Sequence, residues 1–348
     1  MQRNTKASYT HVHDLAEALH LSEAAYARAR EIAGLVPQQR DWLRYIDRFL
    51  VAIGAVLVIA GITAFFAWNW AALGHMAKFL LIQSGVAMGA LLAWRFGLDA
   101  LVGRVGLFAT AFLTGILLAV FGQVYQTGAD PYGLFLAWAV LIMPLAVIGR
   151  QAGIWILVQV LLNLTVIFYY TQVLHPPEGL WELSQLLGPL MWLSTTVFDS
   201  TLASYLFVAN VAALIVWEIG AARGAGWMQG SLFPRLVAVM ALGTVLAPTL
   251  VIIVAAGFDS EPRLSPISPV LFVTATVGCL YYYRHRRPDL FILTCALLGI
   301  IMVLTSFLIR HMLGGSGSLL ALAVLVIGQV TAATWWLRGV AQQSEEGA

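Results

Sequence analysis

The chain has 348 residues, of which 60% are hydrophobic and only 10% are charged. Soluble domains carry about 25% charged residues, so this composition excludes an ordinary soluble fold and predicts a membrane protein. The net charge of +2 does not indicate a nucleic-acid partner. Cys279 and Cys295 lie in apolar stretches without CxxC spacing, so they indicate neither a metal site nor a redox pair.

Residues 1–45 are the main polar region and form a predicted helical head. Two short helices are expected at 12–19 and 22–35, and Ser22 suits the N-cap of the second. Glu23 follows at a position where the helix dipole favours an acidic side chain. The head contains no short apolar segment followed by a small-residue cleavage site, so no secretory signal peptide is predicted. We expect the head to lie against the membrane domain or a partner.

Ten apolar stretches follow the head, each long enough for a helix that crosses a hydrocarbon core of ~30 Å. They lie at 46–67, 77–95, 105–124, 131–149, 152–172, 201–220, 236–257, 267–283, 290–309 and 318–337. The predicted fold is therefore all-α: a polytopic transmembrane helical bundle over residues 46–337, with a polar tail at 338–348.

The distribution of lysine and arginine predicts the orientation of the bundle. If the N-terminus is inside, all but three of the 19 lysines and arginines fall on the inner side, the exceptions being Lys78, Arg263 and Arg310. A bias of this kind is typical of inner-membrane proteins, whose short cytoplasmic loops are enriched in positive charge. Both termini are therefore predicted to be cytoplasmic.

The longest outer connector, 173–200, contains no lysine or arginine. Pro177 suits the first position of a helix, and Leu180, Trp181 and Leu183 alternate with acidic and amide side chains. This pattern predicts an amphipathic helix in the outer membrane interface. A lid over a cavity is the alternative interpretation.

Several polar side chains fall inside the predicted spans, where they are costly. Gln159 and Asn163 are four residues apart and share one face of the fifth span. Asn210 lies midway along the sixth span, and Glu218 lies near its inner end. These four residues are candidates for a polar path across the membrane; the alternative is that they hold the helices together through hydrogen bonds. No acidic residue lies at the centre of a span, which argues against a pump driven by a buried carboxylate relay.

Known motifs of catalysis and nucleotide binding are absent from the sequence. The histidines form no HExxH pair, and there is no Walker A or GxSxG motif. We therefore expect no metal, no cofactor and no coupling to ATP in this chain, and an enzyme is the less favoured class. Gly85 and Gly89 form a GxxxG motif on the second span, which is typical of close helix packing.

One polar segment, residues 121–133, interrupts the apolar pattern at the outer end of the third span. Gln123, Tyr125, Gln126 and Thr127 place four hydrogen-bonding side chains within five positions. Asp130 is a predicted N-cap, and the proline after it suits the first position of the next helix. A tight capped hairpin is one interpretation. The other is a polar pocket or partner contact, because Gln123 and Gln126 are expected on one helix face at the membrane boundary.

The run from Gly122 to Tyr132, which reads GQVYQTGADPY, resembles the signature of a family of bacterial predicted membrane proteins catalogued as domain of unknown function 2157. The segment from Phe65 to Trp70, which reads FFAWNW, is similar to the end of that family's first helix, and the polar head is similar as well. The resemblance covers about the first 150 residues. It implies a bacterial inner-membrane location and work alongside other envelope proteins, but no established activity.

Three functions remain open at this point. The first is transport or binding of a small solute or lipid-like molecule through a polar site near the outer face. The second is a non-catalytic scaffold or a subunit of an envelope complex. The third is a membrane-embedded enzyme acting on lipid or glycan, for which Asp130, Glu178, Glu182 and Asp199 are the candidate acidic residues. The lipid bilayer is the one partner that all three share, and the sequence does not indicate an oligomeric state.

Overall fold

The computed structural model describes most of the chain, in which all regular elements are helices. The described residues are 9–35, 42–43, 45–47, 49–50, 53–54, 57, 64, 68, 70–126, 128, 130–174, 199–255, 267–312 and 318–346. The chain divides into two compact units, Met1–Gly74 and His75–Ala348.

The first unit contains the two helices that the sequence predicts for the head, α1 (Tyr9–Ala18) and α2 (Glu23–Ile32). The Ser22 side chain accepts a hydrogen bond from the backbone N–H of Ala25 at 3.4 Å, which confirms the predicted N-cap. The predicted span at 46–67 lies largely outside the described residues.

The second unit places a helix at each of the other nine predicted stretches. The helices are α3 (His75–Phe96), α4 (Leu101–Tyr125), α5 (Pro131–Gly149), α6 (Ala152–Tyr169, extended by a π-helical turn at Tyr170–Leu174), α7 (Ser200–Ala222), α8 (Leu232–Ala255), α9 (Ile267–His285), α10 (Leu290–Met312) and α11 (Ser318–Glu346). Most of the predicted tail at 338–348 is therefore helical.

Within the described residues, eight helices are long and apolar enough to cross a membrane. Helix α9 is not one of them, because three consecutive tyrosines and Arg284 lower the hydropathy of its C-terminal end. The multi-pass membrane architecture is thus confirmed in its coarse form, and the number of ten spans stays a prediction.

Helices α3 and α4 approach closely through glycines. A Cβ atom on Gly89 of α3 would lie 2.7 Å from the carbonyl oxygen of Gly106 on α4, and a Cβ on Gly106 would lie 2.6 Å from the carbonyl oxygen of Gly89. The Thr110 hydroxyl also lies 3.3 Å from the carbonyl oxygen of Val86 across this contact. These distances confirm the predicted packing role of the GxxxG motif, because any side chain at Gly89 would push the helices apart.

Helix α8 is the central helix of the C-terminal half and contacts α6, α7, α9 and α10. Its buried side chains recur every three or four residues, so they form a stripe along the helix. They are Phe233, Pro234, Val237, Ala238, Ala241, Leu242, Val245, Pro248 and Thr249. Helix α6 contacts α7 and α8 of this half and also α5, so it connects the C-terminal half to the earlier helices of the second unit.

The helices alternate in direction, which gives the second unit two distinct ends. At the motif end, Tyr132 at the start of α5 meets Tyr169 at the end of α6, with ring centroids 5.3 Å apart. At the opposite end, the Gln151 side chain before α6 donates a hydrogen bond to the carbonyl oxygen of Arg104 on α4 at 3.3 Å. We call this second end the arginine-rich end. Its arginines in α3 to α10 and their connectors are Arg95, Arg104, Arg150, Arg223, Arg235, Arg284, Arg286 and Arg287.

Candidate functional site

The predicted outer site lies where α4 ends and α5 begins. Gln123, Tyr125, Gln126 and Asp130 are all exposed, and Thr127 lies outside the described residues. Exposure of these side chains is compatible with a partner contact. Their assignment as a site stays a prediction.

One geometric expectation for this segment is wrong. Gln126 does not share a helix face with Gln123, because α4 ends at Tyr125 and Gln126 takes a left-handed backbone conformation with φ of 46°. The Gln126 N–H closes the helix by donating to the carbonyl oxygen of Gly122. Left-handed backbone costs a residue other than glycine about 1–2 kcal/mol, so Gln126 is held there against its intrinsic preference.

The capping interpretation of the segment is confirmed only for the backbone. Asp130 has the extended conformation of an N-cap, and its carbonyl oxygen accepts a hydrogen bond from the N–H of Gly133 at 2.9 Å. Pro131 begins α5, as predicted. The Asp130 carboxylate, however, makes no capping hydrogen bond and stays exposed.

Tyr125 of the segment has a packing role. Its ring lies 4.7 Å from that of Phe121 and 6.1 Å from that of Phe79, measured between centroids. It therefore ties the end of α4 to the start of α3. This contact accounts for an aromatic residue at position 125 without a ligand.

The buried amides of α6 and α7 form one cluster. Gln159 donates from Nε2 to Asn210 Oδ1 at 2.9 Å, and Asn163 donates from Nδ2 to the same oxygen at 3.1 Å. Asn210 donates from Nδ2 to Asn163 Oδ1 at 2.7 Å and to the carbonyl oxygen of Leu206 at 2.8 Å. Because the three amides satisfy one another, their geometry is that of an interhelical tie.

Glu218, the fourth residue of the predicted path, belongs to a different cluster. It lies eight residues beyond Asn210 on α7, about 12 Å along the helix axis. Its carboxylate accepts hydrogen bonds from the hydroxyls of Tyr283 at 3.0 Å and Tyr282 at 3.2 Å, and it pairs with Arg287 at 2.9 Å. The Glu218 side chain is 8% exposed, so a nearly buried charge is balanced by one arginine and two phenols.

Of the acidic residues predicted on the outer side, Asp199 is the N-cap of α7. Asp199 accepts hydrogen bonds from the N–H groups of Thr201 at 2.7 Å and Leu202 at 2.9 Å, and it accepts another from the Tyr170 hydroxyl at 3.0 Å. These contacts hold the start of α7 against the end of α6. The other acidic candidates, Glu178 and Glu182, and most of the connector 173–200 lie outside the described residues.

A cleft of about 910 Å³ opens between α7, α8 and α9. Its walls are mostly apolar, and the polar side chains among them are Thr274, Glu218, Arg286 and the tyrosines 281–283. Along α7 the cleft extends from Phe207 to Ala222, which is about 22 Å of helix. It ends beside the Glu218 cluster, at the arginine-rich end.

Small residues line the cleft on two of its three helices, α8 and α9. Ala238 and Ala241 on α8 and Ala275 and Gly278 on α9 leave the space between the helices unfilled. A Cβ atom added to Gly278 would meet nothing within 4 Å. Sequence reasoning identified Glu218 but missed the rest of this cleft. Two features of the sequence could have indicated the cleft: small residues on the adjacent spans α8 and α9, and the arginines that follow α9.

The comparisons with known proteins concern the N-terminal part of the chain. Residues 13–155 match the family model described as predicted membrane protein, domain of unknown function 2157. The match confirms the resemblance seen in the segment from Gly122 to Tyr132. No curated protein matches the chain, and no solved structure matches it. The cleft lies wholly outside the matched residues.

Proposed function

We propose that this chain is a bacterial inner-membrane protein that binds a lipid-like molecule in the cleft between α7, α8 and α9. That the chain is a multi-pass membrane protein follows from the eight apolar helices among its described residues and from the family match. The lipid-binding role rests on one observation, the apolar cleft that ends among charged and phenolic side chains.

The size of the cleft suits an acyl chain. Ligand pockets in proteins have volumes of about 300–1,000 Å³, and about 910 Å³ is at the upper end of that range. A hydrocarbon core of ~30 Å gives each leaflet about half that depth. The length of about 22 Å along α7 therefore exceeds one leaflet and can accommodate an extended tail.

The cleft is open on one side, so a lipid can enter from the bilayer. Ile215 and Tyr281 on its rim are 52% and 64% exposed. A polar solute is a poorer fit, because the walls offer it few hydrogen-bonding groups. The amides that would continue a polar route, around Asn210, already bond to one another.

The orientation in this proposal comes from the charge distribution. With ten spans and both termini in the cytoplasm, the arginine-rich end faces the cytoplasm and the motif end faces outward. The polar head of the bound lipid would then lie in the inner leaflet. The exposed segment with Gln123 and Gln126 remains a candidate contact for an envelope partner on the other face.

The proposal is tested with a lipid that carries a photoreactive diazirine in its acyl chain. The full chain is reconstituted in nanodiscs with this lipid, irradiated and digested, and the labelled peptides are identified by mass spectrometry. Labelling is expected to concentrate on the cleft walls of α7, α8 and α9. Uniform labelling of all lipid-facing helices would refute a specific lipid site.

A variant with a filled cleft sharpens this test. Gly278→Phe places a ring in the open space of the cleft and is expected to lower labelling of its walls about tenfold. Gly243→Phe is the matched control, because Gly243 on α8 is also exposed, also has nothing within 4 Å of an added Cβ, and does not line the cleft. Equal labelling in the two variants would contradict the proposal.

A further inference from the structure

Arg286 and Arg287, at the polar end of the cleft, differ in whether their guanidinium groups bond to other residues of the protein. Arg287 donates from Nη1 to Glu218 Oε2 at 2.9 Å, and its Nη2 lies against the carbonyl oxygens of Gln229 and Gly230. Its charge and its donors are therefore engaged by the protein. Arg287 holds the connector before α8 to the end of α7 and is not available to a ligand.

Arg286, the neighbouring residue, lines the cleft and is exposed. Among the described residues its guanidinium has no carboxylate partner, and the Glu218 charge beside it is already balanced by Arg287. Arg284 does not line the cleft, because its guanidinium lies over the Trp336 ring of α11, 5.1 Å from the ring centroid. Within the part of the chain that the structure describes, the positive charge of Arg286 at the polar end of the cleft is thus not neutralised by a carboxylate.

Tail contacts alone cannot select one lipid from the bilayer. Lipid tails are as apolar as leucine side chains, so moving a tail from the bilayer into an apolar cleft brings no hydrophobic gain. Discrimination must therefore come from the polar end. A guanidinium forms strong, paired hydrogen bonds with phosphate oxygens, and near the membrane surface each basic side chain attracts anionic lipid.

We infer that the cleft selects an anionic phospholipid, whose headgroup phosphate is bound by Arg286 and whose acyl chain lies along α7. A zwitterionic headgroup is disfavoured because its ammonium group would be repelled by the positive charge of Arg286. The inference rests on the proposed lipid-binding function and adds the headgroup class and the residue that recognises it.

The test measures which lipids stay bound to the protein. The full chain is placed in phosphatidylcholine nanodiscs that contain a minor fraction of phosphatidylglycerol, and retained lipids are quantified by native mass spectrometry. Enrichment of phosphatidylglycerol over its share in the bilayer is expected. Arg286→Gln is expected to lower this enrichment about tenfold, which corresponds to about 1.4 kcal/mol. Arg286→Lys keeps the charge and should retain part of the enrichment.

One control variant separates this inference from an effect of general surface charge. Arg95→Gln removes one exposed arginine from the same end of the bundle, away from the cleft. If it lowers enrichment as much as Arg286→Gln does, general surface charge explains the selectivity and the inference is overturned. An Arg286→Gln variant with unchanged enrichment overturns it as well.

The acyl-chain labelling experiment distinguishes failure of the inference from failure of the proposed function. If the wild-type protein labels on the cleft walls but shows no headgroup preference, only the inference about Arg286 fails. If the cleft walls are not labelled, both fail.

Discussion

Replacing Asn210 by leucine tests whether the buried amides hold helices together or conduct a solute. Asn210 makes three hydrogen bonds to α6: its Oδ1 accepts from Gln159 and Asn163, and its Nδ2 donates to Asn163. Interhelical hydrogen bonds in membrane proteins contribute about 0.6 kcal/mol on average. Asn210→Leu, which keeps the side-chain size, is therefore expected to lower the free energy of unfolding by about 2 kcal/mol.

A double-mutant cycle measures how strongly Asn210 and Asn163 are coupled in stability. Two of the three bonds join Asn210 to Asn163, so Asn163→Leu removes them as well. The variant with both substitutions should be more stable than the sum of the single effects predicts, by about 1 kcal/mol, because the second substitution removes an amide that has already lost its partner. Replacing both partners by apolar groups of similar shape costs less than leaving one of them unsatisfied.

The assay is SDS-induced unfolding in mixed micelles, followed by tryptophan fluorescence. Gln83→Leu is the matched control, because the Gln83 amide on α3 is exposed and its loss should change stability by less than about 0.5 kcal/mol. Additive effects of the two asparagine substitutions would refute the reasoning. So would an Asn210→Leu variant that keeps full stability but loses permeation of a solute across reconstituted vesicles.

Two further substitutions probe packing and strain with the same unfolding assay. Gly89→Leu should lower the free energy of unfolding by about 2 kcal/mol or more, because even a Cβ at Gly89 would lie 2.6 Å from the Thr110 hydroxyl. Gly328→Leu is the control and should have little effect, because an added Cβ at Gly328 meets nothing within 4 Å. Equal effects of the two substitutions would contradict close packing at Gly89. Gln126→Gly should raise stability by about 1 kcal/mol by relieving the left-handed conformation, whereas a loss would show that the Gln126 side chain makes a stabilising contact.

The helices of the second unit were predictable because helix formation in a membrane depends on local sequence. A continuous apolar stretch must satisfy its backbone within itself, so its approximate length and position follow from hydropathy. The ends were less predictable, since helices continue into the polar interface. Helix α8 starts at Leu232 and not at 236, and Arg235 in its first turn pairs with Asp289 at the start of α10, at 2.9 Å. That partner is 54 residues away in sequence, so hydropathy alone does not reveal it.

The polar side chains were identified from the sequence, but their grouping was not. Gln159 and Asn163 lie one helical turn apart, which places them on one face, yet their bonds to Asn210 require a particular rotation of α6 against α7. Glu218 was grouped with them because it lies on the same helix as Asn210. Its partners instead come from α9 and the segment after it, where Tyr282, Tyr283 and Arg287 converge, and only tertiary packing brings them there.

The family match and the cleft lie in different parts of the chain. The matched residues, 13–155, include the exposed Gln123 and Gln126. The cleft is built from α7, α8 and α9, beyond the match, and extends to the arginine-rich end. If lipid binding is a property of the cleft, substitutions at Gln123 and Gln126 should leave the lipid enrichment unchanged, since the two regions lie at opposite ends of the helices. A lipid-binding defect on changing the motif would mean that the two ends are coupled through α6, the helix that contacts α5, α7 and α8 and carries the amides bonded to Asn210.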